Sequence, residues 1–69
     1  MVEVFKTNVR SVRKAKLIIQ KLAEAFPQYK INFDLSDCDR ILRVEGNTVF
    51  QRKVIGIVTS LDHNCELLE

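Results

Sequence analysis

The chain has 69 residues, 46% of them apolar and 29% charged, with two glycines and one proline. That composition argues against a disordered tail, and 69 residues are expected to form a single small domain. One domain this small buries only about 60% of the surface its unfolded chain exposes, which argues against a deep enclosed active site. Eleven Lys and Arg face nine Asp and Glu, a net charge of +2. The distribution is uneven: residues 1–30 carry seven basic residues against two acids, and residues 31–69 carry four against seven. Two cysteines are too few for a disulfide-stapled scaffold, and no apolar run approaches the roughly 18 residues that span a bilayer. There is no signal-peptide pattern, so a reducing, cytoplasmic setting without a membrane is expected.

In chain order, Val2 to Val9 reads as a strand, with Phe5, Thr7 and Val9 on one face by the two-residue period. Ser11 follows as a helix N-cap. Val12, Ala15, Ile18, Ile19, Leu22, Ala25 and Phe26 recur at three- and four-residue steps, which predicts an amphipathic helix over 11–26. Pro27 stops it, because it lacks an N–H and restricts the residue before it. Tyr29, Ile31, Phe33 and Leu35 alternate with polar residues as a second strand. Ser36-Asp37-Cys38-Asp39 is a turn, and Ile41-Leu42-Arg43-Val44 closes a hairpin. Gly46-Asn47 breaks that strand. Thr48 and Gln51 have capping-box spacing, which predicts a helix over 48–61 with Phe50, Val54, Ile57, Val58 and Leu61 as its stripe. Asp62-His63-Asn64 is a loop, and Cys65-Glu66-Leu67-Leu68 is a last short strand.

The order βαββαβ, with one apolar stripe per helix, predicts an α+β fold. Two helices cover one face of a four-stranded antiparallel sheet of order 4-1-3-2, the ferredoxin-like sandwich. Ile18, Leu22, Phe33, Val44, Phe50, Val54 and Val58 are its expected core. Residues 9–13, 36–39 and 62–64 are expected to share one end. Val2 and Val4, on the other face of the first strand, are a candidate apolar dimer surface, and the oligomeric state stays open.

The segments Phe5-Lys6-Thr7-Asn8-Val9, Ile31-Asn32-Phe33-Asp34 and Ile41-Leu42-Arg43-Val44-Glu45-Gly46, with the second helix and the closing Cys-Glu-Leu-Leu, resemble the heavy-metal-associated domains in order and spacing. These are the domains of copper and zinc metallochaperones and metal-transporting ATPases, and the likeness is closest to short bacterial members. The resemblance implies the same sandwich and a metal loop between the first strand and helix. Family members that carry metal place Cys-x-x-Cys there, two thiolates suited to a soft ion. This chain reads Val9-Arg10-Ser11-Val12-Arg13-Lys14, so Ser11 and Lys14 stand at the two cysteine positions. A charged Lys has no lone pair to give, and Arg10 and Arg13 repel a cation. The resemblance therefore implies a degenerate member without the family's metal cofactor.

Other side chains bear groups capable of chemistry. Ser11 reads as a cap, because the single His, His63, has no carboxylate placed to orient it as a base. Cys38 reads as an exposed thiol in a turn, and Cys65 as a small buried apolar residue. A bridge between them is rejected, because strand order sets them roughly 10–14 Å apart at about 4.8 Å per strand, whereas a disulfide needs Cα atoms within about 7 Å. His63, Cys65 and Cys38 form an alternative, unusual ligand set for a metal carrier. Lys6, Arg10, Arg13, Lys14 and Lys16 cluster around the start of the first helix with no acid among them, where the helix dipole adds positive potential. The leading expectation is a non-catalytic binding module that docks an acidic protein or anion through this basic end. Nucleic-acid binding is the weaker reading, since Phe5, Tyr29 and Phe33 fall on core-facing positions and leave no stacking aromatics on the open sheet face. No paired carboxylates, Gly-rich phosphate loop or triad point to an enzyme.

Overall fold

A computed structural model describes residues 1–36 and 38–68. The strands are β1 (Val2–Thr7), β2 (Lys30–Asp34), β3 (Ile41–Glu45) and β4 (Cys65–Leu67), and the helices are α1 (Val12–Ala25) and α2 (Gln51–Ser60). They follow one another as βαββαβ and build an α+β fold. The antiparallel sheet has the order β2-β3-β1-β4, the expected 4-1-3-2 read from the other side.

Register sorts the side chains. Phe33, Leu42, Phe5 and Leu67 form one row across all four strands. This row faces the helices, and Phe5 and Leu42 are fully buried within it. Ile18 and Leu22 of α1 and Val54 and Val58 of α2 pack onto the sheet, with Val9, Val44 and Val49 completing the core. Thr7 is the one buried polar residue among the described residues. The opposite face of the sheet is uncovered and carries Lys6, Lys30, Asn32, Asp34, Arg43, Glu45 and Glu66 beside Val2 and Val4.

Several expectations need correction. Phe33 is only half-buried, because β2 is an edge strand. Val12 and Ala25 fall off the packed stripe and are exposed. Phe50 is not core: it is 47% exposed and is itself the N-cap of α2. The Thr48–Gln51 capping box does not form, and α2 starts three residues later than predicted, without a side-chain cap. The phenolic Oη of Tyr29 accepts the Phe50 N–H at 3.0 Å instead. The Tyr29 ring also stacks on Phe26, with centroids 4.7 Å apart. It lies so close to Gly46 that a Cβ there would meet its Cδ1 at 2.7 Å. No helix among the described residues is long and apolar enough to cross a membrane. Asp37, expected in the β2–β3 turn, lies outside the described residues.

Candidate functional site

The three connections expected at one end of the sandwich do meet there. Thr7, at the end of β1, anchors the β2–β3 turn. Its N–H donates to the Asp39 carbonyl at 3.1 Å, and its Oγ1 donates to the Arg40 carbonyl at 2.5 Å. The same Oγ1 accepts the Val9 N–H at 3.3 Å and so starts the connection to α1. Asn8 Oδ1 accepts the Asn64 N–H at 2.9 Å and ties this connection to the α2–β4 loop. Among the described residues, Arg40 (φ 48°) and Asp62 (φ 66°) reach the left-handed region. Arg40 is steadied by its Nη1, which donates to the Leu35 carbonyl at 2.7 Å.

Ser11 caps α1 as expected. Its Oγ accepts the Lys14 N–H at 3.3 Å, and its carbonyl takes the Ala15 N–H at 2.9 Å. Around this start, Arg10, Arg13, Lys14 and Lys16 are all exposed. The first turn of α1 holds no acid, and none of the four makes an ion pair among the described residues. Four unpaired cations beside the positive end of a helix dipole make the start of α1 a cationic patch. Lys6 stands apart from them. Strand alternation turns it to the open sheet face, where its Nζ is 3.9 Å from Asp39 Oδ1.

The alternative ligand set does not assemble. Cys38 is exposed on the β2–β3 turn. His63 lines a shallow groove with Lys14, Leu17, Leu61 and Asp62. Cys65, two residues on, lines a separate cleft with Thr7, Asn8, Thr59 and Asn64. Among the described residues, no three His, Cys, Asp or Glu come together to hold a metal ion. Burial, and then the adjacent Glu66 carboxylate, push the Cys65 thiol up to about 11. It stays protonated at neutral pH, which makes it a poor ligand and a poor nucleophile.

One feature of the surface is absent from the sequence reading. The helices carry six basic residues against the single acid Glu24, while the strands carry three against four. The helical layer is thus cationic, while the open sheet face balances Lys6, Lys30 and Arg43 against Asp34, Glu45 and Glu66. Counting charges on the exposed positions of each amphipathic stripe would have revealed it.

Comparison of the chain with protein-family models, with curated proteins and with solved structures returned no match.

Proposed function

We propose that this chain is a non-catalytic binding module, a degenerate relative of the heavy-metal-associated domains, that docks an acidic protein surface or anion through Arg10, Arg13, Lys14 and Lys16. One observation carries the reading: the four exposed cations share one helix start, with no acid in its first turn and no internal ion pair among the described residues. Cations not spent on internal pairs keep their field for an incoming partner. Ser11 is engaged as a cap and Lys14 is cationic, so the pair that stands at the family's metal positions serves helix termination and charge. The ferredoxin-like fold hosts many unrelated activities and adds no support of its own.

The test is a pull-down from host extract with the wild type and an Arg10→Glu, Lys14→Glu double variant. The wild type should retain an acidic partner that salt displaces, because exposed charges are screened beyond about 8 Å at physiological ionic strength. The double variant should lose it, while its stability changes by less than about 1 kcal/mol, both sites being exposed. Identical partners for the two proteins would overturn the reading.

A further inference from the structure

We infer that the free edge of β2 pairs with β2 of a second copy of this chain, antiparallel about a two-fold axis at Asn32, and joins the two sheets into one. The inference is independent of the basic end of α1. Hydrogen-bond parity fixes which backbone groups lie on that edge. The Gly46 N–H donates to the Met1 carbonyl, and the Leu68 N–H donates to the Val4 carbonyl. With the register of β1, Glu3 and Phe5 therefore turn their backbone groups toward Val44 and Leu42. Arg43, between those two, turns toward β2 and meets Asn32. The N–H and C=O groups of Ile31 and Phe33 are left pointing outward. Among the described residues they meet no partner outside the sheet, and β2 has a neighbour only in β3.

This edge is complementary to itself. With Asn32 opposite its counterpart, Ile31 faces Phe33 of the second copy and Phe33 faces its Ile31, both as hydrogen-bonded pairs. Every outward N–H and C=O group of Ile31 and Phe33 is then used. On the helix side the same two residues, both half-buried, cover each other across the join. On the open sheet face Lys30 stands opposite Asp34 of the second copy, and Asp34 opposite its Lys30. A lysine ordinarily blunts an exposed edge by repelling a second copy, and here the carboxylate four residues on cancels it. Lys30 makes no ion pair among the described residues. Asp34 Oδ1 accepts the Ser36 N–H at 3.2 Å and its hydroxyl at 2.6 Å, which holds the carboxylate at the strand end. The neighbouring symmetric registers set Lys30 or Asp34 opposite Asn32 and forfeit both ion pairs. The other edge lacks this match: β4 has three residues, and the same pairing would set Glu66 against Glu66. An interface of one short strand stays below the roughly 800 Å² per partner of a stable dimer, so association belongs in the upper micromolar range.

The experiment is sedimentation equilibrium of the full chain from micromolar to millimolar concentration, with amide spectra recorded along the same series. A monomer–dimer equilibrium is expected, with concentration-dependent shifts at Ile31, Asn32 and Phe33 and none at Cys65 and Leu67. A mixture of labelled and unlabelled chains should show contacts between Ile31 of one copy and Phe33 of the other. Lys30→Asp sets like charges opposite each other at both ends of the join and should weaken the dimer about tenfold. Asp34→Lys should weaken it likewise, and an equimolar mixture of the two variants should associate as the wild type does. If Asp34→Lys fails to fold through loss of the Ser36 contacts, Lys30→Asp and the mixed-label contacts decide. A chain still monomeric at millimolar concentration would sink the inference, as would unchanged association of Lys30→Asp. Species larger than a dimer would overturn it in favour of head-to-tail pairing of β2 with β4. Shifts centred on Val2 and Val4 would overturn it in favour of the open sheet face.

Discussion

At the end that carries Arg10 and Arg13, closure is polar. Thr7 holds the β2–β3 turn and the entry to α1, and Asn8 holds the α2–β4 loop, all through hydrogen bonds. At the opposite end closure is aromatic. Tyr29 stacks on Phe26, presses against Gly46 and accepts the Phe50 N–H at the entry to α2 through its hydroxyl. A typical hydrogen bond contributes about 1 kcal/mol net and tolerates small shifts of its partners. Close packing tolerates almost none. The polar end is therefore suited to vary and to bind, and the aromatic end to hold the sandwich together.

The sharpest way to break this contrast is Gly46→Ala. The new methyl would meet Tyr29 Cδ1 at 2.7 Å, and the ring is pinned by both Phe26 and Phe50, so it has little room to yield. A loss of about 2 kcal/mol is expected in urea unfolding, and a loss within measurement error would show the aromatic end to be soft. At the polar end, Thr7→Val keeps the shape but removes the hydroxyl, leaving the buried Val9 N–H and the Arg40 carbonyl short of a partner. About 1.5 kcal/mol should be lost, with amide shifts at Val9 and Arg40 but not at Tyr29. The smallest effect sharpens the comparison from outside either end. Gly56 lies in the exposed middle of α2, and a Cβ there meets nothing within 4 Å. Gly56→Ala should raise stability by about 0.7 kcal/mol. Opposite signs at the two glycines would separate a packing requirement from general backbone entropy.

The sequence made the sheet and α1 legible because their signals are local. Phe5, Thr7 and Val9 alternate, Ile18 and Leu22 recur at helical spacing, and Ser11 caps within its own turn. The start of α2 was not legible. Thr48 and Gln51 have the spacing of a capping box, yet the N–H at the start of the helix is taken by Tyr29, 21 residues away. A periodic stripe cannot tell whether its first member is core or cap, so Phe50 was misplaced. Arg10, Arg13, Lys14 and Lys16 are all exposed around the start of α1. Distance along the chain groups Lys6 with them, but strand alternation decides which face it takes and sets it on the open sheet face beside Asp39. His63 and Cys65 looked like neighbours by count, and the loop turns them into different clefts.

The strand order has a kinetic consequence. Only β2 and β3 meet through a short hairpin, with Asp34 opposite Ile41. The central pairing sets Val2 opposite Glu45, and the far edge sets Phe5 opposite Leu67. Each of those registers closes most of the chain into a loop before any contact rewards it, and the entropy of closure must be met first. The hairpin is thus the cheapest element to form early, while β1 waits for partners distant in sequence on both sides. Such a route makes this domain a slower folder than a helical bundle of equal length, whose contacts are mostly local.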